Sequence, residues 1–434
     1  MSVITVTPNA ALDVTYFVRG FRAGGVYRAL SVAKKAGGKG LNVARAVRTL
    51  GGDPLATGFA GGLTGERILE DLSREGIRAR FVRTAGESRC TITVVDEETG
   101  LVTEIREAGE AVSEEELAEF SRLFWEICRS ASGSEAPLGR STFACSWADI
   151  CCSEVSESDT RSQPRSCGTG RCGAEERLRR LPGPMGESPD PAALPRCDGL
   201  ESAQWCEPPG RDSSCATGRP DQDRTEIRFG EPSQVDAQAG RPVVVFSGSL
   251  RPGMAPDFYA KLIELAKGWG FLTILDTSGD ALKSGVAAGP FLVKPNLTEA
   301  RELVGMERGT PGEGEETFLA RAAAAMASRI ASHGPKVVVL SMGKHGAVMH
   351  HQGRTWSGRV RIDDVRNPVG SGDSMVGGMA WALARGQDII EAFKLGVACG
   401  AANALTATAG EFRMEDVRAL LDRVEVRPYE PCKP

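Results

Sequence analysis

The sequence predicts an α/β fold in which helices flank a mostly parallel sheet, and three observations support this prediction. Short apolar runs alternate with helical patterns from Met1 to about Ser132. The same alternation resumes at Arg241 and continues towards the C-terminus. Several of the runs are continuously apolar and β-branched, which is typical of strands buried on both faces of a parallel sheet.

The elements of the first half follow in order. The run at residues 2–8 is the first strand, and a helix is predicted over 41–50 because apolar residues recur at helical spacing after a glycine cluster. Residues 89–107 alternate on both sides of a Glu-Thr-Gly turn and predict a β-hairpin. A further helix is expected over 113–130, where a Ser and a Glu three residues later form a capping box.

The second half repeats this pattern. A helix is predicted over 315–332, with apolar residues on one side. Four apolar runs are predicted to be strands, at 242–250, 271–276, 291–296 and 336–341.

Residues 133–240 differ from the rest of the chain. They hold eight of the 12 cysteines, are rich in Ser, Gly, Pro and Arg, and contain almost no periodic apolar segment. We expect a disordered insertion that loops out of the fold; a stretch translated in the wrong reading frame is an alternative. A zinc site is disfavoured because the segment has neither a CxxC pair nor a histidine.

Charge and hydropathy limit the choice of partners. The chain has 52 Lys and Arg against 57 Asp and Glu, a net charge of -5, so we expect neither nucleic acid nor a membrane surface as a partner. No apolar run reaches the length of a membrane span, and the first residues lack the regions of a signal peptide. These observations favour a cytoplasmic protein that binds small molecules.

The most specific motif is NPVGSGDSMVGGMAWALARG, residues 367–386. Apolar spacing after the glycines places Gly370, Ser371, Gly372 and Asp373 at a helix N-terminus, where free N–H groups and the helix dipole attract an anion. A carboxylate beside a transferred phosphoryl group can accept the proton of the attacking hydroxyl. The alternative is that Asp373 only caps the helix.

A second glycine cluster, AGGKGLNVARA at residues 36–46, also opens a helix. Lys39 and Asn42 are placed there to donate hydrogen bonds to a polyhydroxylated or phosphorylated ligand. Neither cluster satisfies GxxxxGK[ST] or GxGxxG, which disfavours a P-loop NTPase and a nicotinamide oxidoreductase.

Together these motifs resemble those of the PfkB, or ribokinase-like, carbohydrate kinases, and the resemblance covers about 326 residues. Within that family they look most like the 1-phosphofructokinase and tagatose-6-phosphate kinase branch. The residues that carry the resemblance are TPNAALD (7–13), AGGKGLNVARA (36–46), SGSLRPG (247–253), VKPNLTE (293–299) and NPVGSGDSMVGG (367–378).

The resemblance implies a ribokinase-like three-layer sandwich with a mostly parallel central sheet and a small β lid over the sugar site. The lid is expected from two segments, about 13–35 and 82–107, and in relatives it often forms a dimer contact, so we expect a homodimer. The kinase core then consists of an N-terminal part, 1–132, and a C-terminal part, 241–434, with the nucleotide site and the catalytic Asp.

The resemblance also assigns site residues. Asp373 is implied to be the catalytic base, with Gly370, Ser371 and Gly372 as the anion hole. The implied sugar-phosphate ligands are Asp13, Arg28, Gly38, Lys39, Asn42 and Arg89. The implied nucleotide ligands are Lys294, Asn296, Glu299, Ser341, Gly343, Gly346 and Asn403. Asn296 and Glu299 are further expected to organise Mg²⁺, mainly through water, although both residue types also cap helices.

The implied activity is a transferase reaction of carbohydrate metabolism, in which ATP phosphorylates a ketohexose monophosphate. Fructose 1-phosphate is the first choice, with fructose 1,6-bisphosphate as product. Tagatose 6-phosphate and fructose 6-phosphate are alternatives, and so is a catalytically inactive sugar-phosphate-binding protein disabled by the insertion.

Overall fold

The computed structural model describes residues 3–132, 240–306 and 315–429. The predicted insertion at 133–240 therefore lies outside the described residues except for its last one, and its disorder stays a prediction, as do the domain boundaries. In the described part of the chain no helix is both long and apolar enough to cross a membrane.

The described residues form fourteen strands and ten α-helices. The strands are β1 (Val3–Thr7), β2 (Ala11–Val18), β3 (Ser31–Gly37), β4 (Leu55–Gly61), β5 (Arg78–Thr84), β6 (Arg89–Asp96), β7 (Val102–Arg106), β8 (Val243–Ser247), β9 (Leu272–Asp276), β10 (Leu292–Val293), β11 (Val337–Ser341), β12 (Ala347–His351), β13 (Arg354–Arg359) and β14 (Glu425–Pro428). The helices are α1 (Lys39–Thr49), α2 (Gly62–Arg74), α3 (Glu114–Ser132), α4 (Phe258–Gly268), α5 (Gly279–Ala287), α6 (Leu297–Val304), α7 (Glu315–Ala331), α8 (Ser371–Ala384), α9 (Ile389–Ala404) and α10 (Met414–Leu421).

The larger sheet has ten strands in the order β14-β13-β12-β11-β10-β9-β8-β1-β4-β5. The seven strands from β11 to β5 run parallel, and β12, β13 and β14 add an antiparallel edge. Strand β1 pairs with β4 on one side and with β8 on the other, so the chain before and after the predicted insertion shares one sheet. The mostly parallel sheet predicted from the sequence is confirmed.

Helices cover both faces of this sheet, which makes three layers. On one face α1, α8 and α9 bury residues such as Val43, Met379 and Phe393 against it. On the other face α3 and α4 contribute Phe120, Phe124, Tyr259 and neighbouring apolar residues. The apolar spacing in the sequence identified these faces because each helix of an α/β layer buries one stripe of side chains.

The smaller sheet has four strands in the order β3-β2-β6-β7. Its inner face packs on α2, where Leu12 and Val14 meet Ile68 and Leu72 in a third apolar cluster. Strand β3 runs directly into α1, and the predicted hairpin at 89–107 forms β6 and β7. This sheet is the small β lid that the resemblance implies.

Candidate active site

The candidate site lies at the carboxyl edge of the parallel strands, the usual ligand position of open α/β sheets. Asp276 ends β9, Lys294 follows β10 and Ser341 ends β11. Helices α1 and α8, which carry the two glycine motifs, begin in the same region, since Lys39 of α1 reaches Asp276. Residues far apart in the sequence are thus gathered at one edge.

Asn42 and Asp373 join the two glycine motifs directly. The Asn42 amide Nδ2 donates to Asp373 Oδ2 at 2.8 Å, and both side chains are buried. Burial and the nearby Asp276 carboxylate raise the pKa of Asp373 to about 6, against the opposing effects of Lys39, Asn42 and Lys294. A carboxylate with this pKa is ionised at neutral pH and able to accept a proton.

Asp373 is not the N-cap of α8; it lies in the first turn of that helix, and its carboxylate accepts a hydrogen bond from Asn42. The residue at the N-cap of α8 is Gly370, and no side chain caps that helix. Gly370 has φ 84°, and a Cβ there would lie 2.5 Å from the Gly410 nitrogen, so the turn requires glycine.

The N-terminus of α8 is built to hold an anion. Ser371 N and Ser374 N donate to Pro368 O and Gly370 O, whereas the N–H groups of Gly372 and Asp373 have no hydrogen-bond partner among the described residues. The Lys294 ammonium lies beside Gly372, because a Cβ at that residue would be 3.1 Å from Lys294 Nζ. Two free N–H groups and a buried ammonium therefore converge next to Asp373.

Asp276 is a buried carboxylate that pairs with two lysines of the site. Its Oδ1 lies 3.4 Å from Lys39 Nζ and 3.3 Å from Lys294 Nζ. Burial favours the neutral acid, but Lys294 and Lys39 outweigh it and hold the pKa of Asp276 below its ordinary value. The same ion pair raises the pKa of Lys39. Both cations are thus fixed in place beside Asp373.

Asp13 of β2 marks the other end of the site, under the small sheet. Burial raises its pKa to about 6, while a hydrogen bond from Thr91 and the charges of Arg45 and Arg89 lower it. Its carboxylate packs against Gly37, where a Cβ would collide with it. Gly38 follows with φ 111° as the N-cap of α1, so the glycines allow Asp13 to approach the start of that helix.

The two predicted arginines differ in their placement. Arg89 of β6 donates from Nε to Asn9 O at 3.3 Å and from Nη1 to Glu107 O at 3.1 Å, and its charge acts on Asp13. Arg28 is exposed in the connection from β2 to β3, and no hydrogen bond or ion pair joins it to another of the described residues. The structure therefore brings Arg89 to Asp13, whereas the role of Arg28 stays a prediction.

Asn296 and Glu299 form a capping box at the start of α6. Asn296 Oδ1 accepts from Glu299 N, and Glu299 Oε2 accepts from Asn296 N, both at 2.9 Å. Glu299 is buried, and its charge acts on Lys39. The capping alternative is thus observed, and the second carboxylate oxygen of Glu299 remains for another ligand.

The predicted nucleotide turn lies beside this cap. Ser341 bridges to Asn296, with Ser341 N donating to Pro295 O at 3.1 Å. Gly343 opens a 3₁₀ turn with φ 59°, and Gly346 closes it with φ 84°. This turn follows β11 and therefore lies at the same sheet edge as Lys294, which follows β10.

Asn403 holds the loops around the N-terminus of α8 through its side-chain hydrogen bonds. The side chain is fully buried; its Nδ2 donates to Val369 O at 2.8 Å, and its Oδ1 accepts from Gly410 N at 2.7 Å and from Ser374 Oγ at 3.2 Å. The amide is thus engaged by the protein, so its observed contacts hold the loops around α8. Contact with a nucleotide stays a prediction.

The residues present fit a magnesium ion that keeps much of its water. Asp276 Oδ2 is buried and has no hydrogen-bond partner among the described residues, which leaves one hard anionic oxygen available. The described residues hold no cluster of three His, Cys, Asp or Glu that could bind a metal alone. A site of few carboxylates, completed by water and substrate phosphates, is the usual arrangement for Mg²⁺.

Sequence reasoning missed three charged groups. Asp276 could have been found as an acid that ends a buried parallel strand. Arg45 could have been found as a charge on the buried face of α1, where it is 5% exposed. Arg106, at the end of β7, gave no such signal; the hydrogen bond that it donates to Glu104 raises its pKa most, and the charges of Asp13 and Asp373 add to this.

A carboxylate able to accept a proton beside free N–H groups at a helix end suits the class of phosphotransferases that act on a hydroxyl group. The comparison with known families extends this class. The chain belongs to the pfkB family of carbohydrate kinases, whose family profile matches residues 4–133 and 217–415. The kinase assignment, the transferase class and the ribokinase-like fold expected from the sequence are confirmed.

Individual relatives share a quarter or less of their residues with this chain. The tagatose-6-phosphate kinase of Staphylococcus epidermidis is 25% identical and covers 98% of this chain and 99% of its own length. Phosphofructokinase-2 of Escherichia coli, solved with fructose-6-phosphate, is 22% identical with a TM-score of 0.64, over 97% of this chain and 99% of its own. A Thermotoga maritima protein described as a possible 1-phosphofructokinase is 20% identical with a TM-score of 0.64, and the match covers 99% of this chain and 100% of that protein.

Proposed function

We propose that the chain is an ATP-dependent kinase of a ketohexose monophosphate, and that its preferred reaction converts fructose 1-phosphate to fructose 1,6-bisphosphate. The observation that carries the proposal is the hydrogen bond from Asn42 to Asp373, which places a buried base where the two glycine motifs meet. The resemblance of residues 7–13 and 36–46 to the 1-phosphofructokinase and tagatose-6-phosphate kinase branch supports the choice of substrate.

The sugar phosphate would bind between the small sheet and α1. Asp13 and Asn42 suit the hydroxyl groups of the sugar, since a carboxylate accepts and an amide donates hydrogen bonds. Arg89, with Lys39 and Arg28, would hold the phosphate that the substrate already carries, a group that a guanidinium recognises in bidentate fashion. A sugar without a phosphate would leave these cations unpaired.

Asp373 would take the proton of the attacking sugar hydroxyl. The hydroxyl oxygen forms a bond to the γ-phosphorus of ATP, the bond from that phosphorus to the bridging oxygen breaks, and ADP leaves. The N–H groups of Gly372 and Asp373, with Lys294, would stabilise the charge on the transferred group. Gly370 and Ser371 shape this turn.

The nucleotide would lie along Ser341, Gly343 and Gly346, with Asn403 near the base. Asp276, together with Asn296 and Glu299 through water, would hold Mg²⁺, which supplies charge neutralisation to the phosphates when it is bound. Closure of the small sheet would exclude water and limit wasteful hydrolysis of ATP.

A homodimer through the small sheet is part of the proposal. Val32 of β3 and Ile105 of β7 lie on one face of the small sheet and are 45% and 58% exposed, and exposed apolar side chains on one face favour a second subunit as cover. Sedimentation velocity of the full chain tests it: a monomer at all concentrations would contradict the dimer.

A substrate screen tests the function. ADP release is measured with fructose 1-phosphate, fructose 6-phosphate, tagatose 6-phosphate and free fructose, and values of kcat/KM are compared. We expect the highest value for fructose 1-phosphate and the lowest for free fructose. A preference for free fructose would contradict the assignment of Arg89.

The same screen is run on a variant that lacks residues 133–240. Activity of the deletion variant alone would favour the alternative in which the insertion disables the full chain. No turnover by either protein would refute the kinase proposal.

A further inference from the structure

Arg45 occupies an unusual position for a charged residue. It lies on α1, three residues after Asn42, and is 5% exposed, so a guanidinium is buried beside the proposed base and sugar site. A buried cation is retained only where its donors are satisfied. Nothing in the proposed chemistry requires Arg45 to touch substrate.

All three nitrogens of Arg45 are used. Nη1 donates to Asn42 Oδ1 at 2.9 Å, Nη2 to Ala36 O at 2.7 Å and Nε to Glu75 Oε2 at 2.8 Å. Ala36 belongs to the small sheet, and Glu75 ends α2, so these partners fix the guanidinium from three sides. Its planar geometry leaves it little freedom to turn.

This contact determines which way the Asn42 amide points. An arginine has only donors, so the side of the amide that faces Arg45 must be the oxygen. The NH₂ group is then left to face Asp373, and it donates to Oδ2 at 2.8 Å. If Asp373 were protonated, its OH could donate to Asn42 Oδ1 only after the amide had flipped, and Arg45 opposes that flip.

We propose that Arg45 is a positioning residue of this kinase, which locks the Asn42 amide in the orientation that stabilises the ionised form of Asp373 over the protonated acid. The inference rests on the proposed function of Asp373 as the base. With one carboxylate oxygen held by Asn42, the other receives the proton of the sugar hydroxyl. Loss of the lock gives the amide a second orientation that stabilises the protonated acid, and the base is then partly neutral at physiological pH.

Four other charged groups act on Asp373: Asp276 from β9, Lys39 from α1, Lys294 after β10 and Arg106 from the small sheet. None of them contacts Arg45, so a change at Arg45 leaves their positions unaltered. The charge of Arg45 also lowers the pKa of Asp13, so the acid limb of the kcat profile is read together with a direct titration of Asp373, which separates the amide lock from the effect on Asp13.

The test compares Arg45→Met with Arg45→Lys, which is also a donor without an acceptor. Saturating rates are measured from about pH 5.5 to 8.5 with the sugar phosphate that the screen selects. For Arg45→Met we expect the acid limb of kcat to move up by about one pH unit, so that kcat falls about twofold at pH 7 and about eightfold at pH 5.5, while KM for ATP stays constant. Arg45→Lys should leave the acid limb of the kcat profile at the pH where it lies in the unmodified chain.

Arg48→Met is the matched control, because Arg48 is an exposed arginine on the same helix. It should leave the pH profile unchanged. Thermal unfolding is followed for each variant; if Arg45→Met does not fold, Arg45→Gln replaces it, since glutamine both donates and accepts and so releases the amide. A folded Met or Gln variant with an unshifted acid limb would overturn the inference, whatever its kcat.

Failure of the proposed function is distinguishable from failure of this inference. Infrared titration of the carboxylate band, taken as the difference between a protein and its Asp373→Asn counterpart, reports the protonation of Asp373 without turnover. A raised midpoint in Arg45→Met supports the lock even if no sugar phosphate is phosphorylated. An unchanged midpoint would refute it.

Discussion

Replacement of Asp373 by asparagine is expected to change activity and stability in opposite directions. The variant keeps the size of the side chain and an oxygen that can accept from Asn42, but it cannot take a proton from a hydroxyl. General-base catalysis contributes about a hundredfold to ten-thousandfold, so we expect kcat to fall by that factor while ATP binding is retained. The variant is expected to be more stable because the Asp373 carboxylate is buried.

Asp373 is 7% exposed, and its pKa is raised from 3.8 to about 6. Each pKa unit corresponds to about 1.4 kcal/mol, so ionised Asp373 destabilises the folded state by up to about 3 kcal/mol at pH 7. The neutral asparagine avoids this cost, and Asp373→Asn is expected to be the more stable protein.

The sign of the pH dependence follows. The folded state binds the Asp373 proton more tightly than the unfolded state, so the destabilisation is absent below about pH 4, grows between about pH 4 and 6, and is complete above. The stability difference between the two proteins should therefore be large at pH 7.5 and small at pH 4.5.

Two measurements check this prediction: ADP release coupled to a reporter enzyme, and denaturant unfolding at both pH values. Asp364→Asn, an exposed acid in the loop before α8, is the control and should change neither quantity. Near-normal turnover of Asp373→Asn would refute the assignment of the base. A loss of stability at pH 7.5 would refute the reasoning from burial.

Two further predictions concern the substrate and the anion site. Arg89→Ala should raise KM for the sugar phosphate about tenfold or more, with a smaller effect on KM for ATP, because a charge-assisted contact is lost. Steady-state kinetics check this prediction. An unchanged KM for the sugar phosphate would remove Arg89 from the substrate site. Gly370→Ala should lower stability by about 1–3 kcal/mol, because φ is 84° and the new Cβ would lie 2.5 Å from Gly410 N. Thermal unfolding checks it against Gly268→Ala, where a Cβ meets nothing within 4 Å, and equal melting temperatures for the two variants would contradict the argument.

The sequence predicted the layered fold well, because each element carries its own signal. The apolar face of α3 and the Ser113–Glu116 capping box are local patterns, and both are observed, with Glu116 N donating to Ser113 Oγ at 3.2 Å. Helix α1 begins at Lys39, two residues before the predicted start at 41, because its N-cap is Gly38 and not a residue whose side chain caps the helix.

Two residues that the structure brings together, Asn42 and Asp373, were singled out in the sequence because a glycine motif marked each of them. Asn42 and Asp373 lie in such motifs, whereas Asp276 and Arg45 become informative only when their neighbours in space are known. Asp276 matters because β9 ends between Lys39 and Lys294, and the order of strands that brings these residues together is not encoded in any one segment. Long-range pairing is therefore the information that local patterns lack.

The pairing of β1 with both β4 and β8 has a consequence for how the enzyme is assembled. Asn42 and Lys39 come from the chain before residue 133, and Asp276, Lys294 and Asp373 come from the chain after 240. Neither stretch holds a complete set of working groups or a complete central sheet. The proposed activity therefore needs both stretches, and a chain cleaved between them is expected to keep it only while the two fragments remain associated.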